Sequence, residues 1–135
     1  MEFDMFTKKF SLDEARRLSP LALAFVGDGV FELIVRSYLV SQKTEMSSHK
    51  LHLSAITYVK AHEQSELMKS IMDILTEDEV TIYKRGRNTK SSTVPKNAVV
   101  QEYRIATGFE TLIGFLYLTD QNERIQEILK NILKS

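Results

Sequence analysis

An all-α fold of about six helices is what this 135-residue sequence predicts. No run alternates polar and apolar residues with the period of a strand. Helix-start signals stand where long apolar stretches begin, and both prolines fall where a helix starts or where a loop runs. The chain, residues 1–135, is long enough to bury a sizeable core and is expected to form one domain.

The first long helix spans residues 20–42. Ser19 is its N-cap, and Pro20 takes the first helical position, where a missing N–H costs nothing. Residues 46–57 and 59–75 give two more helices, with a bend near Thr57 and Tyr58, where β-branched and aromatic residues cluster. Thr76, with Glu79 three positions later, forms a capping box that opens a fourth helix to about Asn88. The polar segment 89–97, which contains Pro95, is the one long loop. A fifth helix covers about 98–119, and Asn122 caps a sixth that runs to about Lys134. Four of the five glycines (Gly27, Gly29, Gly108, Gly114) lie in the two most apolar helices. Each costs about 1 kcal/mol relative to alanine there, so close backbone approach, within the chain or across a symmetric interface, is expected to compensate.

Composition narrows the function. Apolar residues make up 43% and charged residues 27%, as in a folded soluble protein. The chain has no cysteine, which excludes disulfides and thiolate metal sites and suits a reducing cytoplasm. The first 20 residues lack the basic and apolar regions of a secretory signal. Residues 21–40 are fourteen-twentieths apolar, but Asp28, Glu32 and Arg36 interrupt them. Each charge would cost roughly 2.5–3.5 kcal/mol at a bilayer centre, so a helix buried in a bundle is expected and no membrane association. The 18 basic and 18 acidic residues cancel, so any attraction for phosphate must be local.

Two carboxylates stand out. Ala24, Asp28, Glu32 and Arg36 follow one another at intervals of four, along one face of the first long helix. Glu32 has Arg36 as a partner, whereas Asp28 has no local cation. In the fifth helix Glu110 is the sole acid of residues 103–118. A buried carboxylate must be neutralised, paired or bound to a cation. If the two helices pack together, Asp28 and Glu110 can converge on Mg²⁺, which takes hard oxygen ligands and keeps several waters. The alternative is a pair of buried acids held by backbone donors or a distant arginine.

Positive charge concentrates locally. Residues 84–104 hold Lys84, Arg85, Arg87, Lys90, Lys96 and Arg104 against the single acid Glu102. With Asn88 and Asn97 among them, these are the residue types that contact phosphates and ribose hydroxyls. His49, Lys50 and His52 form a smaller group at the start of the second helix. A solvated or RNA-facing helix end suits them better than a metal site. A charge run by itself is most often only a solvated face.

Motif order adds a resemblance. Residues 21–39, LALAFVGDGVFELIVRSYL, are similar to the signature helix of the ribonuclease III family. TGFETLIGFLYL (107–118) resembles the family's second acidic motif. Between them, KRGRNTKSSTVPKN followed by VQEYRIAT looks like the segment peculiar to its Mini-III branch. HKLHLSAITYVKAHEQSEL also follows that branch, with Val59, Ala61 and Gln64 in matching places. The resemblance implies an all-α ribonuclease III domain acting as a symmetric homodimer. It further implies Mg²⁺-dependent cleavage of double-stranded RNA to 5′-phosphate and 3′-hydroxyl ends, with Mn²⁺ as a substitute ion. Precursor of large-subunit ribosomal RNA is the implied substrate, and whether a ribosomal protein assists is left open. Asp28 and Glu110 match the family's catalytic metal ligands. Ala24 and Thr107 stand where full-length relatives carry further acids, a loss the Mini-III branch shares, and it implies a sparser metal shell. Full-length relatives add a double-stranded-RNA-binding domain, for which a chain ending at Ser135 has no room.

Two roles suit Glu32: an ion pair with Arg36 that stiffens the signature helix, or direct metal contact. Two rival functions also stand beside the nuclease. One is a non-catalytic module that binds or scaffolds double-stranded RNA, and the other is a plain helical interaction protein.

Overall fold

The computed structural model describes residues 9–42, 45–90 and 99–133, which carry seven α-helices and one 3-10 turn. In order these are α1 (Leu12–Arg16), α2 (Pro20–Gln42), α3 (Ser48–Val59), α4 (Ala61–Ile71), the 3-10 turn Met72–Ile74, α5 (Glu77–Asn88), α6 (Val100–Leu118) and α7 (Asn122–Leu129). The described residues contain no strand. None of their helices is long and apolar enough to cross a membrane.

The predicted starts of α2 and α5 are found with their caps. The Ala22 amide donates to Ser19 Oγ at 3.1 Å, and Thr76 and Glu79 close their box reciprocally at 2.9 and 3.2 Å. Several boundaries differ from expectation. The short α1 escaped because its apolar content is small, although Ser11 and Glu14 form a complete capping box. The third and fourth helices part at Lys60, not at Thr57 and Tyr58. Lys60 is extended (ψ 148°) and ends α3 as it begins α4. Thr57 instead donates to Ser54 O, and Tyr58 packs edge-on against Tyr38, with ring centroids 6.4 Å apart. Tertiary packing there overrides weak helix propensity.

Asn122 does not cap the last helix either. Asp120 adopts a left-handed φ of 60°, and the Gln121 amide reaches back to Leu116 O at 2.8 Å. The Asp120 amide reaches Tyr117 O at 3.2 Å, which completes a Schellman-type stop for α6. Gln121 thus becomes the N-cap residue of α7, which ends at Leu129. Lys134 and Pro95 lie outside the described residues.

Helix α6 is the centre of the bundle. Every residue from Ala106 to Phe115 is buried except Glu110, which is partly so. Around it lie Leu23, Phe31 and Val35 of α2, Met68 of α4, Ile82 of α5 and Ile128 of α7, all essentially inaccessible. Burial of each such side chain contributes roughly 1.5–3 kcal/mol.

The closest approach is between α2 and α6. A Cβ added at Gly27 would lie 1.8 Å from Glu110 O, and one at Gly114 would lie 1.9 Å from Leu23 O. These two glycines answer the expectation of close backbone approach. Gly108 serves a different neighbour, the Tyr83 ring of α5, and Gly29 meets nothing within 4 Å. Phe31 and Phe109 seal the same helix pair edge-to-face at 5.1 Å.

Gly27→Ala or Gly114→Ala should therefore force the two helices apart. Overpacking of this kind costs about 1–3 kcal/mol or more, against a helix-propensity gain of only about 1 kcal/mol. Chemical denaturation should show a lowered midpoint for each variant, and an unchanged or raised midpoint would contradict the contact.

Candidate functional site

The glycine contact decides where the two anomalous acids go. Asp28 follows Gly27 on α2, and Gly27 lies against the backbone of Glu110 on α6. The two carboxyl groups meet as a result. Burial, then a hydrogen bond and the charge of Asp28, push the Glu110 carboxyl up to about 8, while Gln64 pulls it the other way. Asp28 itself is exposed, so the pair opens to solvent on the α2 side.

Glu32 does what its spacing suggested, accepting a hydrogen bond from Arg36 at 2.8 Å. Both side chains are substantially exposed, so the pair contributes only about 0.3–0.5 kcal/mol. Ala24 and Thr107, the positions without acids, are buried. The Thr107 hydroxyl donates to Tyr103 O at 2.9 Å and stays within its own helix. Among the described residues no three His, Cys, Asp or Glu side chains gather to hold a metal ion. The donor set is therefore two carboxylates. Their hard oxygens suit Mg²⁺, which needs only one or two protein carboxylates when water and substrate phosphate complete its shell.

The basic residues take several postures. Arg85 donates to Arg16 O at 3.0 Å and Leu18 O at 3.5 Å, tying α5 to the turn between α1 and α2. The Arg87 guanidinium lies over the Tyr83 ring, 5.7 Å from its centroid, and its Nε donates to Asn88 Oδ1 at 3.0 Å. Lys84, Lys90 and Arg104 are exposed, as are His49, Lys50 and His52 at the start of α3. The same Tyr83 ring packs on Gly108, two residues before Glu110 on α6. Lys96 and Asn97 lie outside the described residues.

Two features gave little sequence signal. Arg124 of α7 grips the buried Glu79 with two hydrogen bonds of 2.8 Å and also donates to Ile74 O and Glu127. The arginine holds the Glu79 carboxyl below the usual range and fixes α7 on the start of α5. Gln64 on α4 is only 2% exposed, and its amide nitrogen has no hydrogen-bond partner. The amide sits beside Glu110 without reaching hydrogen-bond geometry. A buried orphan donor costs about 1–3 kcal/mol. The signal lay in its spacing: Gln64, Met68 and Ile71 share the inward face of α4, so a polar residue occupies a core position.

The carboxyl pair makes stability depend on pH. In the metal-free protein, Glu110 titrates near 8 when folded, against 4.5 as its ordinary value. The folded state thus holds an extra proton between those limits, and the stability this gives is full below 4.5 and is lost as pH rises toward 8. Glu110→Gln removes that loss. Denaturation in EDTA should show the variant gaining on the parent as pH rises from 4.5 to 8, and a gap that stays constant with pH would contradict it.

Comparison with known proteins gives the arrangement its context. The profile of the Ribonuclease III domain matches residues 21–121, which contain both acids. Mini-ribonuclease 3 of Clostridium tetani is 44% identical over 126 residues, covering 93% of this chain and 83% of the relative. Mini-ribonuclease 3 of a Thermoanaerobacter species is 50% identical over 113 residues, covering 84% and 79%. A crystal structure of a Fusobacterium nucleatum protein superposes with a TM-score of 0.77 at 37% identity, over 87% of this chain and 93% of that one. With helices in this order and both acids inside the matched span, the chain belongs to the Mini-ribonuclease 3 branch of the ribonuclease III family of endoribonucleases.

Proposed function

We propose that this chain cuts double-stranded RNA by Mg²⁺-dependent hydrolysis, leaving 5′-phosphate and 3′-hydroxyl ends. One domain, residues 1–135, does the work as a homodimer, each protomer cutting one strand. The substrate is precursor of large-subunit ribosomal RNA in the cytoplasm. The observation that carries the reading is the meeting of Asp28 and Glu110 across the α2–α6 contact.

Asp28 and Glu110 would hold the ion, which supplies an activated water and stabilises the charge that develops on the cleaved phosphate. As a ligand Glu110 would be ionised, its proton released to solvent on the open side of the pair. Asp28, on the open side, is the acid that incoming RNA would reach first. Lys84, Lys90 and Arg104 are exposed and would meet phosphates, with His49, Lys50, Arg87 and Asn88 as further contacts. Lys96 and Asn97 are proposed contacts from the sequence alone. Arg85 contributes by holding α5 in place, because its guanidinium already serves two carbonyls. Such contacts to phosphate make binding fall steeply with salt.

The dimer has a candidate surface. An apolar groove of about 910 Å³ runs between α2 and α7, lined by Phe25, Leu33, Ile125 and Leu129 among others. Phe25 is 83% exposed and Leu33 67%, an exposure that marks an interaction surface. Gly29 and Asp28 line the same groove, so a second copy seated there would lie beside the catalytic acid.

The test is incubation of the purified protein, Asp28→Asn and Phe25→Asp with a long duplex RNA, in Mg²⁺ and in EDTA. Asp28→Asn should stay folded and dimeric yet lose more than about a hundredfold of the activity, the most that loss of an outer partner of a metal ligand costs. Phe25→Asp should sediment as a monomer and lose cleavage. Full activity of Asp28→Asn, or cleavage in EDTA, would sink the nuclease reading. Duplex that is bound but never cut by the parent would favour the non-catalytic binding module.

A further inference from the structure

The amide nitrogen of Gln64 is the one buried side-chain polar atom without a partner among the described residues, and it lies beside one of the two acids. Buried polar groups in folded proteins are nearly all satisfied, so an orphan of this kind calls for a physical reason. Packing does not supply one. Leucine or methionine would fill the same inward position of α4 without an unpaired donor, as Met68 and Ile71 do one and two turns further on.

We propose that Gln64 is a positioning residue for Glu110: from the buried α4–α6 contact its amide, unpaired in the metal-free protein, would donate to one oxygen of the ionised carboxylate and leave the other turned toward an ion shared with Asp28. The inference rests on the functional reading above. Its logic is that of metal sites generally, in which a ligating carboxylate is held by a hydrogen bond from behind. With only two carboxylates in the set, the direction of each lone pair matters more than in a crowded shell. Asp28 is exposed and can adjust to the ion, whereas Glu110 is fixed on the central helix and needs a guide. The amide of Gln64 is neutral, so it can orient the carboxylate without competing with the cation for its charge. A lysine or arginine in its place would compete.

The experiment is Mn²⁺ binding without RNA, followed by electron paramagnetic resonance, on the parent, Gln64→Leu, Gln64→Met and Asp28→Asn, with melting temperatures of the metal-free proteins. Gln64→Leu and Gln64→Met should bind Mn²⁺ about ten- to a hundredfold more weakly, as loss of an outer-shell partner does. Their metal-free melting temperatures should equal or exceed that of the parent, because an unpaired buried donor has been removed. Methionine keeps the length and shape of glutamine, so it guards against a packing artefact in the leucine variant. A residue with a merely structural role would lower the melting temperature and leave Mn²⁺ affinity alone. Undiminished Mn²⁺ affinity in both Gln64 variants, with parental binding abolished by Asp28→Asn, overturns this inference and leaves the functional reading standing. Parental Mn²⁺ binding that is indifferent to Asp28→Asn overturns both.

Discussion

Everything distinctive about this molecule depends on two helices being allowed to touch backbone to backbone. Gly27 and Gly114 give up side chains so that α2 and α6 can approach until a Cβ on either would collide with a carbonyl of the other. That approach seats Phe31 against Phe109, makes α6 the axis of the bundle, and carries Asp28 to Glu110. With α2 and α6 held apart by larger side chains, the two acids would be separate solvated or buried charges. Brought together, they become a coupled pair that needs either a proton or a cation.

The cost of that coupling is visible in the structure. A carboxyl pushed up to about 8 and an unpaired amide within reach of it are both unfavourable features in a core that is otherwise well satisfied. Elsewhere the same bundle handles charge conventionally. Glu79 is buried too, but Arg124 meets it with a two-point grip and its carboxyl stays ionised. The contrast separates two kinds of buried acid in one small fold. One is neutralised by an arginine and staples α7 to α5, and the other meets a second carboxyl group, Asp28. Unfavourable local electrostatics that persist inside a stable scaffold are typical of sites that bind or react.

Much of this was legible in the residues. Pro20 behind Ser19, and Thr76 ahead of Glu79, placed two helix starts because capping chemistry is local. Glu110 inside an apolar helix announced itself because burial of charge is costly wherever the helix goes, whereas Asp28, in a helix just as apolar, proved exposed. Glycines in those helices signalled close approach, although not which neighbour each would meet. That depends on packing, and Gly108 turned out to face Tyr83 of α5. The cap of α7 was missed for a related reason: Asp120 accepts a left-handed conformation more often given to glycine or asparagine, so the stop that makes Gln121 the N-cap residue carries little sequence signature. Arg85 shows the limit of counting charge. It lies in the most basic stretch of the chain, yet two of its five guanidinium donors are already held by backbone carbonyls. Gln64 stood out in the sequence as a matching position of a family-like segment, but that its amide would be buried without a partner depends on packing.

The most direct test of the central claim is a crystal soaked in Mn²⁺ and measured at a wavelength where manganese scatters anomalously. The account predicts a peak between the Asp28 and Glu110 carboxylates, about 2.0–2.2 Å from an oxygen of each, close to the short, near-octahedral distances of its Mg²⁺ counterpart. A peak elsewhere, or two carboxylates too far apart to share an ion, would contradict it.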